Sequence, residues 1–177
     1  IRDNLCLLHG SEKLTALERN LVGEIDAYRR LESILASVVF GPFDYILIDT
    51  PPTLGVMTLN AFAASDYLAI VLNPSLYTMQ GTNTLLATYN KVRDNLNSRL
   101  TILGAFLNMV DLHPVIFREI LDELQEYFGP QLVKHYLSRS IKIEEAIPRH
   151  KGIVELGASK SKTEIEAMGQ AFLKRMS

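Results

Sequence analysis

Asp49 closes the run Tyr45-Ile46-Leu47-Ile48 and is followed at once by Thr50-Pro51-Pro52. If that run is a strand, it carries a carboxylate to the strand tip. There the carboxylate can hold a water of a hydrated Mg2+ or orient an attacking water beside a phosphate. The same acid could instead cap the next helix. Pro51 lacks a backbone N–H and keeps Thr50 out of the helical region, so the chain should leave the sheet abruptly and stiffly. Gly55 follows and is free to adopt backbone angles closed to other residues, so residues 50–55 are expected to form a loop that moves or approaches a ligand.

Such a carboxylate needs a rigid support, and the rest of the chain offers one. Short apolar runs rich in β-formers occur at residues 4–9, 43–48, 67–72, 100–108 and 132–137. Between them lie stretches of helical period. Leu85, Leu86, Tyr89, Val92 and Leu96 recur at three- and four-residue steps, as one stripe of a helix lying on a sheet. Ile116, Ile120, Leu121, Leu124 and Phe128 repeat the pattern up to Gly129-Pro130, where a left-handed cap and a residue without N–H stop a helix. A last helix is expected from about Thr163 to Arg175, with Ile165, Met168, Phe172 and Met176 facing inward.

Strands that are apolar throughout belong to a parallel sheet covered on both faces. Alternation with helices then gives βαβ units and a doubly wound α/β fold, a mostly parallel sheet flanked by helices. In such sheets ligands collect beyond the carboxyl ends of the strands, so the residues after each apolar run carry the chemistry.

The 177 residues suit one globular domain, with 47% apolar residues, 18 Lys+Arg against 20 Asp+Glu, and ten scattered glycines. A disordered or collagen-like polymer is excluded by that composition. A disulfide scaffold is excluded by the single cysteine, Cys6, which is expected to be a buried thiol. No apolar run approaches the roughly 20 residues that span a bilayer, and no charged-then-apolar leader opens the chain, so a cytoplasmic protein is expected. His9, His113, His135 and His150 have no zinc-like spacing. From Lys134 onward there are nine Lys/Arg and five acids, an asymmetry compatible with a face that meets an anion or with a plain solvated surface.

The string Phe43-Asp44-Tyr45-Ile46-Leu47-Ile48-Asp49-Thr50-Pro51-Pro52-Thr53-Leu54 resembles the second acidic motif of the ParA/MinD family of deviant P-loop ATPases, Y-D-hydrophobic-I-I-D-T-P-P-S-L. The likeness continues through residues 58–66 and 73–81. Residues 103–111 are similar to the family strand that ends in an Asn near adenine. Residues 137–146, Leu-Ser-Arg-Ser-Ile-Lys-Ile-Glu-Glu-Ala, resemble I-P-R-N-x-R-x-x-E-A, a loop bordering the base. The pattern is most like that of the ParA/Soj branch, which segregates plasmids and chromosomes.

The resemblance implies an ATPase using ATP and Mg2+, in which two ATP are sandwiched in a homodimer. It also implies non-specific DNA binding, hydrolysis stimulated by a ParB-like partner, and a cytoplasmic, nucleoid-associated location without membrane attachment. It assigns catalysis and a water-mediated Mg2+ contact to Asp49. Nucleotide contacts fall to Thr50, Pro51, Asn108, Ser138, Arg139 and Ser140, and DNA contacts to Arg139 and Lys142. Ser138 stands where the family usually has Pro, so the base-side loop is expected to be less rigid, and Ser140 replaces Asn.

The family's phosphate cradle is a glycine-rich loop ending Gly-Lys-Ser/Thr. None of the ten glycines here precedes a lysine, and the strands that flank the cradle in the family are missing too. The chain begins at Ile1, and residues 1–177 are expected to be one ParA-like domain forming the later part of a longer polypeptide, not hydrolysing ATP by itself. The alternatives are a truncated binding module or pseudo-ATPase, and a MinD-like membrane-positioning protein with a basic-rimmed C-terminal amphipathic helix. Related iron-cluster reductases require paired cysteines, and related kinases a tyrosine-rich tail; Cys6 is alone and no Tyr follows Tyr136.

Overall fold

The computed structural model describes residues 4–11, 13–21, 23–37, 43–75, 78–111, 114–155 and 157–176. Backbone packing divides the chain into two compact units, residues 1–65 with 88–99, and residues 66–87 with 100–177.

The first unit contains α1 (Lys13–Leu21), α2 (Arg30–Ser37) and α3 (Val56–Ala64). Leu21, Ala27 and Val56 form a small core with Met57 against it. Asn60 of α3 ties this unit together while 5% exposed. Its amide donates to Ala27 O at 2.6 Å and Val56 O at 2.9 Å, and its carbonyl accepts Leu31 N–H at 3.1 Å. Asn97 acts similarly after α3, donating to Phe62 O at 3.1 Å and Ser65 O at 2.6 Å. Each buried amide thus satisfies its own hydrogen-bonding groups on the backbone.

The second unit holds the sheet. Strands β1 (Tyr67–Leu72), β2 (Thr101–Val110) and β3 (Leu132–Ser138) run parallel in the order β1-β2-β3. Between β1 and β2 the chain forms α4 (Thr78–Asn95), of which residues 78–87 lie in this unit. Between β2 and β3 it forms α5 (Pro114–Phe128), and after β3 come α6 (Ile141–Ala146) and α7 (Lys160–Met176). Ile70, Leu72, Ala105, Leu107, Ile120, Leu124 and Phe128 make one core, joined by Leu85 and Leu86. Leu103, Phe106 and Val133 face Met168, Phe172 and Met176 of α7, with the Phe106 and Phe172 rings 5.7 Å apart. Central β2 is therefore covered on both faces, as its unbroken apolar sequence demands. The fold is the doubly wound α/β arrangement.

The helix stops read from sequence occur as expected. Gly129 takes φ +52°, and a 3-10 turn over Gly129–Gln131 leads into β3. Ile116 alone of its stripe stays largely exposed, at 57%. Two runs expected as strands, residues 4–9 and 43–48, form no ladder. Leu7, Leu8, Tyr45, Ile46 and Leu47 are 52–86% exposed. Strand propensity is realised only through a neighbouring strand and a covering layer, and neither run has these among the described residues. Cys6 is exposed for the same reason, contrary to the buried thiol expected.

Candidate functional site

The carboxyl ends of all three strands open on one cleft of about 680 Å3. β1 delivers Asn73, Pro74 and Ser75 to it, β2 delivers Asn108, Met109 and Asp111, and β3 delivers Ser138, Arg139 and Ser140. Ile116, Phe117, Ile120, Leu137 and Ile143 line most of the remainder, with Glu144 of α6 as a second acid beside Asp111, so polar groups at the strand tips share the cleft with apolar surface. That combination suits a flat heteroaromatic ring with hydrogen-bonding edges.

A bulge at the end of β2 re-aims its polar residues. Leu107 pairs with Tyr136 and Val110 with Ser138, so β2 spends one residue more than β3 between the two pairs. Met109 takes a left-handed φ of +54°, and the Asn108 side-chain carbonyl accepts its N–H at 2.9 Å. The Asn108 NH2 group, a donor suited to a ring nitrogen or carbonyl, is not used in that contact.

At the end of β3 three successive residues are each held differently. Ser138 donates its N–H to Glu164 Oε2 at 2.9 Å and its hydroxyl to Glu164 Oε1 at 2.7 Å. Lys160 Nζ donates to the same hydroxyl oxygen at 3.2 Å and lies 3.5 Å from Glu164. Arg139 donates its backbone N–H to Val110 O at 3.1 Å. Ser140 is the N-cap of α6, its hydroxyl accepting Lys142 N–H at 3.2 Å. The backbone N–H that a proline at 138 would lack is employed here, so the looser loop expected from Ser138 is instead anchored. Lys142 pairs with Glu145 at 3.3 Å on the exposed face of α6.

Asp49, Thr50 and Pro51 belong to the first unit, are exposed, and are not among the residues lining the cleft. The loop that follows them is braced from α3, because the buried Thr58 hydroxyl donates to Thr53 O. Gly55 has φ −84° and ψ −172°, angles open to any residue, so conformational freedom is not what glycine provides there. The space its missing side chain leaves is occupied by the Glu18 carboxylate.

The family model described as an AAA domain matches residues 1–102. The chain is 35% identical over 147 residues to the chromosome-partitioning ATPase Soj of Treponema pallidum, covering 83% of this chain and 57% of that one. The chain belongs to the ParA/MinD family. Among solved structures, this ParA/MinD-family chain resembles cobyrinic acid a,c-diamide synthase from Mycobacterium smegmatis with bound ADP and magnesium. The TM-score is 0.65 at 25% identity, over 78% of this chain and 59% of that one. It shares its fold with apo McdA of Cyanthece, with a TM-score of 0.75 at 19% identity, over 92% and 66% of the respective chains. The chain thus spans about three fifths of the length of the curated relatives it matches. Among the described residues no helix is long and apolar enough to cross a membrane.

Sequence reasoning had singled out Asn108, Ser138, Arg139 and Ser140 from separate strand ends, and the fold brings them around one cleft. It missed the β2 bulge, which leaves no mark in a run of apolar residues. It missed Glu164 as well, whose place in a charged helix resembles that of any solvated acid. The one signal available was Ser138, a residue with two donors at the end of a buried strand.

Proposed function

We propose that this chain forms the base-binding portion of a ParA-like ATPase that partitions plasmids or chromosomes. The carrying observation is the convergence of Asn108 with the Ser138–Arg139–Ser140 strand end on a cleft beyond parallel strands. The cleft fits an adenine ring in volume and in its mix of apolar walls and amide and hydroxyl groups. Asn108 would read the ring edge, Arg139 and Ser140 would border it, and Asp49 would hold water-bound Mg2+ beside the phosphates. In this reading the phosphate-binding lysine lies outside the 177 residues. Mg2+ would supply charge neutralisation at the phosphates when bound.

ATP binding would join two copies, and the dimer would hold duplex DNA without sequence preference through Arg139 and Lys142. A ParB-like partner would trigger hydrolysis and release. The support is the family membership and the identity of its relatives, which include a chromosome-partitioning ATPase.

The test is titration of Mg-ATP into the protein as its gene encodes it. Micromolar binding that Asn108→Ala weakens by about tenfold is expected, the scale of one lost specific hydrogen bond in a dry site. Binding without any turnover would leave a pseudo-ATPase, and no binding would overturn the reading.

A further inference from the structure

We propose that Glu164, assisted by Lys160, is the positioning residue of the cleft, and that α7 thereby sets the affinity for the base; this rests on the nucleotide reading above. Ser138 is the last residue of β3, and the chain turns into α6 only two residues later. Within that span the backbone makes a bond to β2, from Arg139 N–H to Val110 O, while bringing Arg139 and Ser140 to the cleft. Both donors of Ser138 are committed to one carboxylate, 26 residues away in sequence. The clamp is bidentate, so it fixes the orientation of the strand end as well as its location.

Glu164 is suited to this by its surroundings. Its side chain is 15% exposed, and Lys160, one turn earlier on α7, balances its charge. Further along α7, Met168, Phe172 and Met176 pack on the sheet, so the carboxylate is presented by an element that is itself fixed to β2 and β3. A charged group that is mostly buried is retained at a cost unless its hydrogen bonds are satisfied, and here the strand end supplies them. With the Ser138 proton given to Glu164, its hydroxyl can only accept from a ligand.

The experiment compares Mg-ATP with Mg-tripolyphosphate, which lacks the base, in the protein as its gene encodes it. Glu164→Ala should weaken Mg-ATP about tenfold while leaving tripolyphosphate within about twofold. Glu164→Gln, whose amide can still accept the Ser138 N–H and donate to its hydroxyl, should recover most of the loss. Equal weakening of both ligands, or unaltered ATP binding by Glu164→Ala while Asn108→Ala impairs it, overturns the role of Glu164 alone. A wild type that binds ATP no better than tripolyphosphate, or an Asn108→Ala protein with unchanged ATP affinity, overturns the cleft reading and this proposal with it.

Discussion

The Asn108 side-chain carbonyl accepts the N–H of Met109 at 2.9 Å, and Met109 turns the end of β2 through a φ of +54°. The side chain proposed to read the base thereby stabilises the unusual backbone that directs it. For a residue bearing a Cβ, the left-handed region costs about 1–2 kcal/mol, and β-branching makes it worse. Met109→Val should therefore lower unfolding free energy by about 1–2 kcal/mol, and Met109→Gly should cost nothing or stabilise slightly. Urea unfolding followed by circular dichroism measures both, and equal stability of the Val and Gly proteins would contradict a strained bulge.

Gly104 sits in the middle of β2 against backbone that cannot retreat. A Cβ there would lie 3.0 Å from Gln131 O, 3.2 Å from Val133 Cγ2 and 3.3 Å from the Arg175 guanidinium. That guanidinium is itself fixed, donating to Leu103 O at 3.0 Å and Pro130 O at 2.8 Å. Gly104→Ala should destabilise by about 1–3 kcal/mol through overpacking. A melting temperature equal to the parent's would show that the sheet has slack at this point.

In the first unit, Asn60→Ala removes three hydrogen bonds and strands the Leu31 N–H and Ala27 carbonyl. The expected loss is about 2–4 kcal/mol, since unsatisfied polar groups cost more than the bonds themselves contribute. Amide exchange should quicken around residues 27–31; protection unchanged there would refute the bracing role.

Asp49 is exposed at the mouth of the diproline turn. If it organises water and Mg2+, Asp49→Ala should reduce ATP hydrolysis by at least about 100-fold, the usual size of a lost acid–base or water-positioning group. Nucleotide affinity should change only slightly. Steady-state phosphate release reads the first and equilibrium titration the second. Hydrolysis at the parental rate would reject the assignment.

Arg139 is exposed, and Lys142 is 60% exposed beside Glu145. Replacing both with Ala should weaken binding to every duplex alike and flatten the logarithmic salt dependence by about two charge equivalents. Fluorescence anisotropy across a salt series tests this. A loss confined to one DNA sequence would mean base reading instead of phosphate contact.

Much of this architecture was legible in the residues. The unbroken apolar runs at 67–72 and 100–108 called for a parallel sheet with both faces covered; β2 obeys that requirement, whereas β1, at the end of the described sheet, leaves Tyr67 and Val71 of one face 45% and 64% exposed. Gly129-Pro130 stopped α5 where local backbone chemistry says it must. Residues at strand tips could be chosen as candidates because parallel sheets gather ligands at one edge, and the cleft lies there.

What amino-acid order determined by itself was local: periodicity, helix stops, and the polar residues that terminate each strand, all properties of short-range sterics and solvation. Tertiary structure decided which apolar runs became strands, because a ladder needs partners. Residues 4–9 and 43–48 share the composition of β1 but not its neighbours. It also decided that Cys6 is exposed, that β2 bulges at Met109, and that Glu164 reaches across 26 residues to Ser138. Those outcomes depend on separations in space between distant segments, and such separations exist only once the chain has packed.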